Sequence, residues 1–217
     1  MRKSFSVLAL VFCGLCGVSQ PMFGSSICAA ITPNLVSNCG FETGDFTSWT
    51  VGGNTLNPAS NYYGVDTFDA NSGTYGAYMS QDFIDAGTAP VTLSQSLATT
   101  TGTAYIVSFW LEQDSAPTPG YTHLFSASWG GTTMLNLTPT IALPGPVGVF
   151  TQYSFVETAT GPSTTLLFSF RNDDLYWSFD DVSVTPTPEP STGLLGGIAL
   201  GVVLLLVAGQ KRVASRH

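Results

Sequence analysis

Basic residues are almost absent from the long central part of this chain. Only six lysines and arginines occur among its 217 residues, and five of them lie near the two ends, so that Arg171 is the only one between residues 4 and 210. All 14 acidic residues lie in that part of the chain, and one positive against 14 negative side chains gives it a formal charge of −13, compared with −8 for the whole sequence. Such a surface repels phosphate backbones, which excludes nucleic acid as a partner.

The first thirty residues have the layout of a secretory signal peptide. Arg2 and Lys3 precede the apolar stretch FSVLALVFCGLCGV, and the small residues CAA follow at 28–30. We therefore expect cleavage near Ala30, with residues 1–30 removed and the remainder exported across the inner membrane.

Cysteine is scarce, and the expected cleavage makes it scarcer. Three of the four cysteines, Cys13, Cys16 and Cys28, leave with the signal peptide, so that Cys39 alone stays in the exported domain. A lone cysteine cannot form an internal disulfide, and the fold must then be held by its hydrophobic core or by a metal. We interpret Cys39 as a small buried apolar side chain.

Charge is missing altogether from the 20 residues between Ser191 and Gln210. A helix of that length crosses a bilayer core of about 30 Å, and no polar face suggests a buried globular helix instead. We predict a Pro-rich linker at 186–192, a transmembrane helix at 193–210 and a basic tail at 211–217. Basic residues are retained in the cytoplasm, so the tail is expected inside and the domain outside.

The C-terminal sequence has a specific resemblance. PEPST at 188–192, followed directly by the membrane span and the basic tail, resembles the PEP-CTERM sorting signal of bacteria that make exopolysaccharide. The resemblance implies an exosortase-type partner that processes the chain at the motif, so that the membrane anchor is transient and the domain reaches the cell surface or extracellular matrix. The alternative is an ordinary C-terminal anchor that is never cut. The residues of the signal are Pro188, Glu189, Pro190, Ser191 and Thr192, with Lys211, Arg212 and Arg216 in the tail.

No long amphipathic helix occurs in the exported part, which we place at 31–185. Short runs of alternating polarity are separated there by clusters of Gly, Pro, Asn and Asp. Alternation is clear in AYIVSFWLEQ and TTLLFSFRN, and similar runs are VTLSQSL, HLFSASW, TMLNLT and TQYSFVE. This spacing predicts an all-β domain, a two-sheet antiparallel jelly-roll β-sandwich.

Two stretches near the ends of this domain resemble a known family. NLVSNCGFETGDFTSWTV at 34–51 and YWSFDDVSVTP at 176–186 are similar to the first and last strands of jelly-roll carbohydrate-binding modules and related galactose-binding-like domains. In that fold these strands tend to lie together, which would bring Glu42 close to Asp180 or Asp181.

Carboxylates that share a buried edge need a counter-ion, and in a domain with one arginine we expect Ca²⁺ held by oxygen atoms. The family resemblance implies the same structural calcium. Its predicted ligands are Glu42, Asp180 or Asp181, and more weakly Asp66 and Asp69. In the alternative interpretation, these carboxylates cap turns or accept backbone N–H bonds. A bulge near the strand end would decide which of Asp180 and Asp181 faces inward.

Catalytic groups are sparse. His123 is the only histidine of the exported part and has no nucleophile-elbow pattern beside it, so we interpret it as a half-exposed strand residue. Glu112 and Asp114 share a strand face, but the next carboxylate of a jelly-roll glycosidase motif is missing, which indicates a solvated pair. We therefore predict that the protein is not an enzyme.

Aromatic residues are plentiful, and rings together with carboxylates are what neutral sugars bind to. Tyr62, Tyr63 and Tyr121 lie in turn-rich segments and are the rings predicted to contact carbohydrate. The sequence thus indicates a secreted, surface-sorted, non-enzymatic protein of the exopolysaccharide or biofilm matrix that binds carbohydrate. The alternatives are a purely structural or adhesive surface protein without a sugar site and, with less weight, a glycoside hydrolase or an ice-binding protein.

Overall fold

The computed structural model describes residues 25–53, 63–80, 90–114, 116, 118–138 and 147–188. The predicted transmembrane helix, the basic tail, the sorting motif from Glu189 onward and residues 1–24 of the predicted signal peptide lie outside these ranges. Within them, no helix has the length and apolar character that crossing a bilayer requires.

The described chain is built almost entirely of β-strands. A short 3-10 turn at Ile27–Ala30 precedes them. The strands are β1 Thr50–Gly53, β2 Tyr63–Asp66, β3 Gly76–Met79, β4 Val91–Ala98, β5 Ala104–Gln113, β6 His123–Trp129, β7 Thr132–Leu137, β8 Thr151–Thr158, β9 Ser163–Asn172 and β10 Trp177–Pro186.

These strands form two five-stranded antiparallel sheets. The first sheet has the order β1-β4-β9-β6-β7 and the second the order β2-β3-β10-β5-β8. The prediction of an all-β, two-sheet antiparallel sandwich is confirmed, and the six runs of alternating polarity correspond to β4–β9.

The core lies between the sheets and is rich in aromatic rings. Inward-facing side chains of β5 are buried, with Phe109 and Val107 fully inaccessible. The ring of Phe109 lies 5.1 Å from that of Phe168 on the opposite sheet, and Phe168 lies 4.7 Å from Phe179 of β10. Because such rings bury a large area each and contact one another at inclined angles, they account for much of the packing between the two sheets.

A disulfide bond joins Cys28 to Cys39, with their Cα atoms 6.1 Å apart. The prediction that the domain has no internal disulfide is therefore wrong, and Cys39 is not a lone thiol. The reason is that Cys28 belongs to the folded domain, where it is 1% exposed. Ser26 also packs there: a Cβ added to Gly40 would lie 2.5 Å from the Ser26 Cβ. Cleavage near Ala30 would thus cut through the fold.

The segment that follows this turn lies along β10, as expected from the resemblance. The N–H of Leu35 donates to the carbonyl of Val184 and the N–H of Val182 donates to the carbonyl of Cys39, both at 2.9 Å. A β-bulge interrupts the pairing of β10 with β5 between Asp180 and Ser183. Because of this bulge both Asp180 and Asp181 are buried, and Asp181 has a left-handed backbone with φ 51°.

Candidate functional site

A cavity of about 290 Å³ opens beside the second sheet. It is lined by Asp66, at the end of β2, by Asp69 in the loop that follows, by Tyr78 of β3 and by Tyr176 just before β10. Two aromatic rings and two carboxylates therefore face the same space.

The rings form one wall because of the register between β2 and β3. Gly64 lies opposite Tyr78, and a Cβ added to Gly64 would lie 2.6 Å from the Cζ atom of the tyrosine. Only glycine at this position lets the Tyr78 ring lie over β2. The Tyr78 and Tyr176 rings then meet edge to face, with their centroids 5.5 Å apart and an interplanar angle of 87°.

The loop after β2 is held by one carboxylate. Oδ1 of Asp66 accepts the backbone N–H of Phe68 at 2.8 Å and that of Asp69 at 3.2 Å. These bonds set the direction of the two side chains that follow, since Asp69 lines the cavity whereas Phe68 extends into solvent and is 92% exposed. A solvent-exposed apolar ring, that of Phe68, thus lies in sequence between the two carboxylates that line the cavity.

A buried serine connects the cavity to β5. Ser178 lies opposite Tyr78 on one side and Glu112 on the other. Its hydroxyl bonds to Oδ1 of Asp69 and also lies 3.2 Å from Oδ1 of Asp114. A hydroxyl carries one proton, so Ser178 can donate to only one of these two carboxylates at a time.

The charges of the site are not balanced within the described chain. Burial raises the pKa of Asp69 to about 7; the Ser178 bond opposes this shift, whereas hydrogen bonding with Asp66 and the charges of Asp66 and Asp114 add to it. Burial and the neighbouring Asp66 charge also raise the pKa of the Tyr78 hydroxyl. Arg171, the only Lys or Arg in the described ranges, is bound to Asp173 through its Nε at 2.7 Å.

The pair Glu112 and Asp114 lies at the end of β5, as predicted, but it is not simply solvated. Burial and the charge of Asp114 raise the pKa of Glu112. Burial likewise raises the pKa of Asp114, with the Ser178 bond opposing the shift and the charge of Asp66 adding to it. His123, expected to be half exposed, is buried, with its Nε2 at 3.5 Å from Oδ1 of Asp174.

The rings predicted to contact carbohydrate are not those that line the cavity. Tyr62 lies outside the described residues. Tyr63 is half-buried on β2 and its ring packs 6.3 Å from that of Phe46, and Tyr121 is 40% exposed in a separate turn. Tyr78 could have been found from the strand GAYM, because the inward-facing Ala77 and Met79 place the residue between them on the outer face.

The predicted calcium ligands are held by hydrogen-bond donors of the loop at 71–75. Glu42 Oε1 accepts the N–H of Thr74 at 2.9 Å and that of Tyr75 at 3.3 Å. Asp180 Oδ2 accepts the N–H of Asn71 at 2.8 Å and that of Ser72 at 3.1 Å.

Asp181, beside it, is bonded in the same way. Its Oδ2 accepts from the amide of Asn71 at 2.8 Å and from the hydroxyl of Ser72 at 2.7 Å. Asp66, the fourth residue predicted, lies in the cavity instead.

This arrangement does not fit a calcium site. Ca²⁺ takes about six to eight oxygen ligands, whereas the loop at 71–75 directs N–H and O–H groups at the carboxylates. Among the described residues, no three His, Cys, Asp or Glu side chains are grouped so that they could hold a metal ion. Calcium stays a prediction, and the geometry matches the alternative of carboxylates that accept backbone N–H bonds.

Comparison with known proteins defines the class of fold. No protein-family model matches the sequence, and no curated protein matches it. Among solved structures the fold is similar to β-sandwich carbohydrate-binding modules. One is TmCBM61 in complex with β-1,4-galactotriose, with a TM-score of 0.50, 20% identity and coverage of 70% of this chain and 98% of that chain.

A region within an enzyme is also similar in fold to this chain. The enzymatically active domain of tailspike protein 4 from bacteriophage CBA120 has a TM-score of 0.50 and 15% identity, over 70% of this chain. The present chain spans only 21% of the length of that domain. At these identities the likeness concerns the fold, and any activity must be argued from the site itself.

Proposed function

We propose that the domain binds carbohydrate without catalysis through the cavity between β2 and β10. The observation that carries this proposal is the convergence of the Tyr78 and Tyr176 rings with Asp66 and Asp69 on one cavity. Sugars present apolar C–H faces that stack on aromatic rings, and hydroxyl groups that donate to carboxylates. Both kinds of contact are available within the same space.

The size of the cavity limits what it can hold. Small-molecule sites commonly enclose about 300 to 1,000 Å³, and this cavity, at about 290 Å³, lies just below that range. It therefore suits one sugar unit, either at a chain end or within a polymer whose other units remain outside.

Export and surface sorting belong to the same proposal. The chain is delivered across the inner membrane, anchored by residues 193–210 and processed by an exosortase-type partner at PEPST, which would place the domain in an exopolysaccharide matrix. The disulfide between Cys28 and Cys39 supports export, because structural disulfides persist in oxidising compartments. An uncut C-terminal anchor remains the alternative.

The test is affinity electrophoresis of the full chain, purified in detergent, through gels that contain a panel of polysaccharides. Retention is expected on at least one polysaccharide and is expected to be lost in Tyr176→Ala. Tyr121→Ala is the comparison variant, because Tyr121 was predicted from the sequence to contact carbohydrate but does not line the cavity, and it should retain binding.

Each alternative has its own outcome. Loss of retention in Tyr121→Ala but not in Tyr176→Ala would move the site to the predicted loop. No retention on any polysaccharide would favour a structural or adhesive protein. Release of reducing sugar from a retained polysaccharide, abolished by Glu112→Gln, would show hydrolysis, and none is expected.

A further inference from the structure

The carboxylates of the cavity indicate a narrower class of saccharide than its aromatic rings do. Resting on the proposed function, we propose that the bound saccharide carries a free ammonium group, as an amino sugar with an unacetylated amine does, and that Phe68 contacts its apolar face at the cavity rim.

The first step concerns the balance of donors and acceptors. Asp66 and Asp69 line the cavity, and Asp114 reaches the same Ser178 hydroxyl as Asp69. One hydroxyl proton cannot serve both carboxylates. The single arginine of the described chain is already occupied by Asp173. No free lysine or arginine of the described residues balances these carboxylates when they are ionised, so a cation carried by the ligand would stabilise them.

The second step distinguishes an organic cation from a metal ion. The carboxylates of the described residues do not form a group of three that could hold a metal. The cavity is instead walled on one side by the Tyr78 and Tyr176 rings. Ammonium groups are attracted to aromatic faces as well as to carboxylates, so a cation carried on an organic ring suits both walls.

The third step concerns Phe68. A phenylalanine that is 92% exposed gains nothing from the core of its own domain, and the N–H bonds to Asp66 hold its backbone beside the cavity. An apolar ring next to an anionic cavity matches an amino sugar, which has a C–H face beside its ammonium group. A lysine side chain offers the charge but no such face, and we therefore favour the saccharide over a basic peptide.

The experiment is isothermal titration calorimetry on the full chain in detergent, at low salt and about pH 7, where Asp69, whose pKa burial raises to about 7, is partly charged. The probes are a glucosamine tetrasaccharide, its fully N-acetylated counterpart and β-1,4-galactotriose. The glucosamine tetrasaccharide is expected to bind about tenfold more tightly than either neutral probe, as one charge-assisted bond provides. Its affinity is expected to fall in about 1 M NaCl, where charges are screened.

Three variants separate the contributions. Asp66→Asn keeps an oxygen that can accept the loop N–H bonds, and it should weaken glucosamine binding about tenfold while leaving neutral probes unaffected. Phe68→Ala removes a solvent-exposed ring and should weaken every saccharide that binds. Glu157→Gln is the control, because it removes the same charge from β8 near the end of β5 opposite the cavity, and it should change nothing.

The outcomes are distinguishable. Equal or tighter binding of the N-acetylated or galactose probe, insensitive to Asp66→Asn but lost in Tyr176→Ala, would overturn the ammonium inference and leave the proposed function intact. Binding of a lysine tetrapeptide in place of every saccharide would overturn the saccharide assignment. Absence of binding to all probes would overturn the inference and count against the proposed function as well.

Discussion

The backbone N–H of Cys28 donates to Oδ1 of Asp181 at 3.2 Å, across 153 residues of sequence. Cys28 is also tied to Cys39, whose carbonyl accepts the N–H of Val182. Two hydrogen bonds thus join the first described segment to the bulge of β10, and the disulfide links the two cysteines that make them. The stability of the segment that contains Cys28 and Cys39 is therefore expected to be coupled to that of β10.

The first prediction follows from the disulfide. Reducing it, or replacing both Cys28 and Cys39 by alanine, should lower the free energy of unfolding by about 2 to 4 kcal/mol, because the cross-link restricts the unfolded chain. Urea unfolding of the full chain in detergent, with and without dithiothreitol, measures this effect. The double variant is its own control, since dithiothreitol should not destabilise it further. Equal stability of oxidised and reduced wild type would argue against the bond.

The second prediction concerns processing of the exported protein. Ser26 and Cys28 are buried parts of the fold, so cleavage is expected on the N-terminal side of Ser25 and not near Ala30. Intact-mass measurement and N-terminal sequencing of the exported chain would locate the cut. A mature chain that starts at Ile31 would contradict this expectation, and it would lack the disulfide.

The third prediction concerns Gly64. In Gly64→Ala the new methyl group would collide with the Tyr78 ring, which must then leave the position in which it meets the Tyr176 ring. We expect saccharide affinity to fall about tenfold, as the loss of one good contact would produce. Gly161→Ala is the matched control, because its added Cβ meets no atom closer than 3.7 Å. An equal effect of both substitutions on affinity would contradict the role of Gly64 in placing the Tyr78 ring for saccharide binding.

The fourth prediction concerns pH. Burial, and then the charge of Asp181, raise the pKa of Asp180 to about 8, from an ordinary value of 3.8. Between these two values the folded state binds more protons than the unfolded state, so stability contributed by this group is full below about pH 4 and is lost as pH rises toward 8. Asp69, with its pKa of about 7, acts in the same direction.

Thermal unfolding between pH 4 and 8 tests this dependence. The unfolding temperature Tm should fall as the pH rises, and the fall should be smaller in Asp180→Asn, whose side chain does not titrate. A Tm that rises steadily across this range would show that other carboxylates dominate. Glu157→Gln again serves as a control for the loss of one charge elsewhere.

The fifth prediction concerns calcium. Because donors from residues 71–75 already bind the carboxylates of Glu42, Asp180 and Asp181, excess Ca²⁺ and EGTA are expected to give the same Tm. Ligand binding to the native state alone would instead raise stability by about 2.7 kcal/mol at a hundredfold excess over Kd. A rise of that kind, absent in Glu42→Gln, would restore the calcium site.

Local patterns made the strands predictable. Alternation in AYIVSFWLEQ places every second side chain on one face, and β5 has the corresponding bounds, Ala104–Gln113. The cavity was not predictable in the same way, because Tyr78 and Tyr176 are far apart in sequence and meet only through the register of β3 with β10.

The disulfide was missed for a different reason. The small residues at 28–30 resemble a cleavage site, and the sequence does not reveal that Cys28 packs against the rest of the domain. Glu42 and Asp180, predicted to lie close together, both accept N–H groups of the loop at 71–75. What the sequence could not provide was the direction of the N–H groups at 71–75, which depends on the path of the loop.

The pairing of Arg171 with Asp173 leaves the described surface without a free lysine or arginine side chain. Two copies of the domain brought side by side would offer each other carboxylates but no cation to pair with them. Their mutual repulsion acts over about 8 Å at physiological salt. A dense layer of such domains would therefore stay spaced and hydrated, and would draw cations from its surroundings in place of contacts between neighbours.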